Sequence, residues 1–146
     1  MQSPKKMNEL IAYTDGAYSP TRDQGGVGIV FIKDNKIIYE YSKSILKTTN
    51  NRCELYAVIK VLQAISKPIN KLTIYSDSQY VICTITKGWQ RKKNQDLWNL
   101  FDRFYKLALN LCPVIEFEWV KGHDTNIYNQ RVDKLAVEAS HEFLQI

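Results

Sequence analysis

Four acidic residues stand in settings that could do chemistry together. They are Asp15 in Tyr13-Thr14-Asp15-Gly16, Glu54 in Asn50-Asn51-Arg52-Cys53-Glu54-Leu55, Asp77 in Tyr75-Ser76-Asp77-Ser78-Gln79-Tyr80, and Asp133 in Asn129-Gln130-Arg131-Val132-Asp133. Carboxylate oxygens are hard donors and suit Mg²⁺, which keeps some of its own water. Converging, the four would hold two divalent cations roughly 4 Å apart, an arrangement that clamps a scissile phosphate and activates a water against it. Like charges so crowded should push at least one apo carboxyl pKa upward, and metal should reverse that.

The elements that must position these acids follow from hydrophobic pattern. Leu10 to Thr14 is a short apolar run stopped by Asp15-Gly16, which reads as a strand ending in a turn signal. Gly25 to Ile32 and Ile37 to Ile45 read as two further strands, joined by the turn signal Lys33-Asp34-Asn35-Lys36 as an antiparallel hairpin. Leu55, Val58, Ile59 and Leu62 recur at helical spacing, and Ser66-Lys67-Pro68 closes that helix. Leu72 to Ser76 is a strand, and Ser78 to Thr86 a short helix. Leu97, Leu100, Phe101 and Phe104 form an amphipathic helical face, Val114 to Val120 a last strand, and Val132, Leu135, Ala136, Ala139 and Phe143 the inward face of a final helix. Strand, helix, strand from Leu10 to Ser76 is a βαβ unit, so its strands should run parallel as neighbours. Asp15 and Asp77 then fall near the carboxyl ends of adjacent strands, the edge where α/β sheets build ligand sites.

Each acid also has an ordinary explanation. Asn51 could cap a helix, with Glu54 three residues on returning to the backbone. Glu54 and Asp133 read as first-turn residues, where the helix dipole favours acids. Asp15-Gly16 could be only a turn, and Asp77-Ser78 only a cap.

Composition bounds the class. The chain has 146 residues, 45% hydrophobic and 24% charged, which fits one globular domain over 1–146 with a disordered tail at 1–7. Twenty basic against 15 acidic residues leave a net charge of +5, compatible with an anionic partner. Cys53, Cys83 and Cys112 form no Cys-x-x-Cys pair, so neither a zinc site nor a disulfide framework is suggested, and a reducing, cytoplasmic setting is expected. No apolar run is long enough to span a membrane, and a monomer is expected. Lys87, Arg91, Lys92 and Lys93 surround Trp89, a mixture suited to phosphate contact and stacking, or to a solvated loop.

Taken in order, Thr14-Asp15-Gly16, Thr48-Thr49-Asn50-Asn51-Arg52-Cys53-Glu54-Leu55, Ser76-Asp77-Ser78-Gln79-Tyr80-Val81, Trp119-Val120-Lys121-Gly122-His123 and Asn129 to Asp133 resemble the type 1 ribonuclease H family, over nearly the whole chain. The resemblance implies an α/β, ribonuclease H-like fold: a five-stranded mixed sheet, three antiparallel strands and then parallel ones, flanked by helices. It implies endonucleolytic hydrolysis of the RNA strand of RNA–DNA hybrids, leaving 5′-phosphate and 3′-hydroxyl ends, with two Mg²⁺ ions as cofactor and Mn²⁺ as a substitute. Asp15, Glu54, Asp77 and Asp133 would be the catalytic metal ligands. His123 would serve proton transfer or product release, a role suited to an imidazole titrating near neutrality. Thr49 would belong to a pocket for a DNA phosphate, while Asn50, Asn51 and Gln79 would face the minor groove. Many members carry a longer basic protrusion after the position of Trp89. Here only Gln90 to Gln95 separate it from Asp96-Leu97-Trp98, as in retroviral ribonuclease H domains, which implies weaker hybrid binding. The alternatives are another nuclease or strand-transfer enzyme of the same fold, such as an integrase, transposase or junction resolvase, and a catalytically silent binding module.

Overall fold

The computed structural model describes residues 8–122 and 125–142. The tail expected at 1–7, His123 and Phe143 lie outside the described residues. Three antiparallel strands open the chain: β1 (Glu9–Ser19), β2 (Gln24–Lys33) and β3 (Lys36–Leu46). Asp34 and Asn35 join β2 to β3 with φ of 51° and 64°, the two positive values that a tight type I′ hairpin demands. Helix α1 (Asn50–Ala64) leads to β4 (Lys71–Ser76), which returns parallel to β1. Helices α2 (Gln79–Lys87) and α3 (Gln95–Leu111), strand β5 (Val114–Trp119) and helix α4 (Ile127–His141) complete the order. The sheet runs β3-β2-β1-β4-β5, with β5 parallel to β4, as the mixed-sheet expectation required.

One expectation fails instructively. β1 does not stop at Asp15-Gly16 but continues to Ser19, because β2 offers it a ladder throughout and Asp15 pairs with Gly28. The turn comes later, with Asp23 at φ 45°. On its other side β1 pairs with β4 only as far as Thr14 with Ser76. Asp15 is therefore the first residue past the fork where the parallel ladder ends and the antiparallel one goes on.

Alternation along β2 divides the core between two layers. Val27, Ile29 and Phe31 join Leu55, Val58 and Leu62 of α1 and Trp98 and Phe101 of α3 in one apolar cluster. Val30 and Ile32 pack with Tyr13 and with Val132 of α4 on the opposite face. Side chains at i and i+2 share a face of a strand, so a run as apolar as β2 must be covered twice. Glycines set how closely. A Cβ on Gly26 would stand 2.1 Å from the Ala136 carbonyl oxygen, and one on Gly28 2.5 Å from that of Val132. Helix α4 thus rests with its backbone almost on the strand, which brings Asp133 to the sheet edge.

The inward stripe of α3 also differs from expectation. Leu97, Trp98, Phe101 and Ala108 are buried, whereas Leu100 is 40% exposed. Spacing places Leu100 on that face and passes over Trp98. Trp98, fully buried and edge-on to Phe101, takes that place.

Candidate active site

Glycine shapes the site as well as the core. A Cβ on Gly16 would lie 2.5 Å from the Glu54 backbone nitrogen, so α1 can sit against β1 only because residue 16 has none. That approach sets Glu54 beside Asp15. Asp77, one residue beyond β4, is held from two sides. Trp119 Nε1 donates to its carbonyl at 3.0 Å, and the next backbone N–H, of Ser78, donates to Ser76 Oγ at 3.1 Å. Ser78 then caps α2 by accepting from the Val81 N–H.

Oxygens of Asp15, Glu54 and Asp77 gather within 4.8 Å of one another. Asp15 is 3% exposed and Glu54 4%, whereas Asp77 is only half-buried. Asp133 is exposed on α4 but lines the same cavity of about 390 Å³ and interacts with Asp15. Burial, and then the negative charge of Asp77, lift the Asp15 carboxyl to about 8. Glu54 is raised well above the ordinary range, again by burial first and then by the charges of Asp15 and Asp77. Its Oε2 is fully buried with no hydrogen-bond partner among the described residues. An orphaned buried carboxylate oxygen amid two further carboxylates is a poor arrangement for protein alone, since unpaired buried polar groups are costly. It fits a hard divalent cation, which takes oxygen ligands and neutralises crowded negative charge.

The ordinary explanations for Glu54 and Asp133 do not hold. The N-cap of α1 is Thr49, not Asn51: its backbone is extended and its hydroxyl accepts from the Arg52 N–H at 3.2 Å. Starting the helix two residues earlier moves Glu54 from the third helical position to the fifth, out of reach of a capping box. Asp133 is the seventh residue of α4, beyond the first turn where the dipole acts. The first-turn placement expected for both acids is therefore corrected to the second.

Asn50, Asn51 and Gln79 line the acidic cavity, and their side chains have no hydrogen-bond partner among the described residues. Thr49 is not among the cavity's lining residues; it directly precedes Asn50, and its hydroxyl is engaged in the cap. The loop toward His123 passes Asp77, since a Cβ on Gly122 would stand 3.3 Å from Asp77 Oδ2. Of the basic group around Trp89, Arg91 is turned inward, its guanidinium 4.7 Å from the Trp98 ring centroid and bonded to Asp102 at 2.7 Å. Lys87, Lys92 and Lys93 stay exposed beside a half-exposed Trp89. Sequence reasoning passed over Tyr80, which also lines the cavity and whose hydroxyl accepts from both Asn94 Nδ2 and Trp98 Nε1.

A family model described as RNase H matches residues 7–141. The chain belongs to the ribonuclease H family. A ribonuclease H from Trichodesmium erythraeum is 40% identical over 147 residues, covering 94% of this chain and 92% of the relative. Among solved structures, ribonuclease H1 of the archaeon Halobacterium salinarum superposes with a TM-score of 0.73 at 28% identity, over 90% of this chain and 96% of that one. LC11-RNase H1, solved in complex with an RNA/DNA hybrid, shares the fold at a TM-score of 0.72 and 24% identity, over 89% of this chain and 95% of that one. In this ribonuclease H the three carboxylates gather at the β1/β4 edge, and no described helix is long and apolar enough to cross a membrane.

Proposed function

We propose that Asp15, Glu54, Asp77 and Asp133 form the hydrolytic centre with which this ribonuclease H cuts the RNA strand of RNA–DNA hybrids, leaving 5′-phosphate and 3′-hydroxyl ends. The observation that carries the assignment is the trio of carboxylate oxygens within 4.8 Å, accompanied by a buried Glu54 Oε2 that has no hydrogen-bond partner among the described residues. Asp15, Glu54 and Asp77 would hold one divalent cation, and Asp133 with Asp15 would help hold a second. Bound there, Mg²⁺ ions, with Mn²⁺ as substitute, would acidify a water and stabilise charge on the scissile phosphate.

The chain's own groups do the rest. Asp15 and Glu54 give up the protons that their burial retains, which readies both as anionic ligands. Asn50, Asn51 and Gln79 present amides at the cavity wall, each able to donate to a sugar or base-edge oxygen and accept from a 2′-hydroxyl. Thr49, at the start of α1, stands where a phosphate of the DNA strand would meet a helix N-terminus. His123, next to Gly122 in the sequence, would serve proton transfer or product release. The three exposed lysines beside Trp89 offer a small basic surface for the hybrid backbone. The working unit is a monomer.

Cleavage of an end-labelled hybrid, with double-stranded RNA and DNA as controls and with or without Mg²⁺, tests this directly. Cutting should require metal and spare both controls. Asp77→Asn should lose turnover by orders of magnitude while still binding hybrid. Wild-type cleavage by that variant would remove the mechanism.

A further inference from the structure

Helix α2 and strand β5 face each other without closing. Gln79, Ile82, Cys83, Thr86 and Lys87 recur three and four residues apart, so they share one face of α2, and that face lines a cavity of about 470 Å³. Phe117 and Trp119 line it from β5, two residues apart and therefore on one side of the strand. Glu118 also borders the cavity, but alternation assigns its side chain to the opposite side of the strand. Packed protein rarely leaves voids larger than a water molecule, so a gap of this size needs a cause.

Trp119 supplies the cause. Its indole Nε1 donates to the Asp77 carbonyl at 3.0 Å, and that bond keeps the ring from folding down into the gap. The ring stands 45% exposed as a wall, while Ile82, Cys83 and Phe117 form a buried floor. At one end the trough meets the acidic cavity, with which it shares only Gln79. At the other end Thr86 and Lys87 are exposed. The Thr86 hydroxyl is already used, donating to the Ile82 carbonyl at 2.7 Å. Lys87 forms no ion pair among the described residues, which leaves its ammonium to meet an anion.

We propose that this trough binds a nucleotide, its base against the Trp119 ring and its phosphate beside Lys87. Every nucleobase has a π-face that stacks on an aromatic side chain, and the apolar floor suits the rest of the ring. A lysine serves phosphate as a point charge. Gln79 and Lys87 are about 12 Å apart along the helix axis, room for base, sugar and phosphate in line. Binding there needs neither a metal ion nor a hybrid.

Calorimetry with adenosine 5′-monophosphate in EDTA tests this, since no cation can then hold the phosphate in the acidic cavity. The Kd should be about 0.3 mM, and adenosine or ribose 5-phosphate, each lacking one half, should bind about tenfold more weakly. Trp119→Leu should weaken the nucleotide about tenfold, whereas Trp119→Phe, which keeps an aromatic face, should retain most of the affinity. Thr86→Trp should fill the trough from its exposed end and block binding with little change in the urea unfolding midpoint. Trp89→Ala should bind as wild type does. Absence of heat up to about 5 mM nucleotide would overturn the proposal, as would full binding by Thr86→Trp. Ribose 5-phosphate binding as tightly as the nucleotide would reduce the site to charge attraction, and loss in Trp89→Ala but not Trp119→Leu would move it to the basic loop; either result overturns the proposal.

Discussion

Replacing Asp15 by asparagine should make the metal-free protein more stable, though it removes a proposed ligand. In the fold the Asp15 carboxyl titrates near 8 against 3.8 when free, so at pH 7 the folded protein must keep a proton that the unfolded chain has lost. Binding more protons when folded means that stability falls as pH rises from the free value to the folded one. At 1.36 kcal/mol per pH unit, that costs about 4 kcal/mol at pH 7 and about 6 kcal/mol above pH 8, and nothing below about pH 3.8. An asparagine at this position would carry no such cost, and its amide oxygen can still accept from the Gly16 N–H, now 2.9 Å from Asp15 Oδ1. Urea unfolding in EDTA at a series of pH values measures the difference. Asp15→Asn should exceed wild type by about 4 kcal/mol at pH 7, by more at pH 8.5 and by little at pH 4. Saturating Mg²⁺ should shrink the gap by stabilising only the wild type. A gap that is absent, or does not vary with pH, would refute the electrostatic account of the site.

Metal binding should expel the protons that burial retains. Calorimetry at pH 7 in buffers of differing ionisation enthalpy should show about one proton released per site filled, declining by pH 9, and heats independent of buffer would contradict this. Gly26→Ala, whose methyl would meet the Ala136 carbonyl at 2.1 Å, should cost about 3 kcal/mol in urea unfolding. Gly88→Ala, with φ 69° but nothing within 4 Å, should cost only about 1 kcal/mol. His123→Ala should slow turnover partially and leave the calorimetric metal isotherm unchanged; an abolished isotherm would make it a ligand instead.

The meeting of Asp15 and Asp77 was legible in the chain itself, because one right-handed crossover makes β1 and β4 parallel neighbours. The helical start of α1 was not. Thr49 and Asn51 are both good caps, and only tertiary placement chose the former, shifting Glu54 by two positions from a capping role into the cavity. Asp15-Gly16 carries a turn signal that the β2 ladder overrides, and the glycine's true task is to admit α1. Gly26 and Gly28 look from sequence like strand weakeners, since nothing local reveals the helix pressed against them. The hydrogen bonds that Asn94 accepts from Arg52 and donates to Tyr80 span 42 and 14 positions, distances at which no periodicity speaks. The four carboxylates could be named from sequence; their unequal burial could not.

The docking of α4 on the glycines of β2 has a consequence for how the protein is made. Synthesis proceeds from the N-terminus, and everything needed to gather Asp15, Glu54 and Asp77 precedes α4 in the chain. Asp133 travels with the last helix, as does Val132, which covers the apolar face of Tyr13, Val30 and Ile32. A nascent chain on the ribosome therefore holds three of its acids before the fourth, with that face of the sheet still bare. Completion of the acidic set and concealment of that apolar face are one event, the arrival of a single helix.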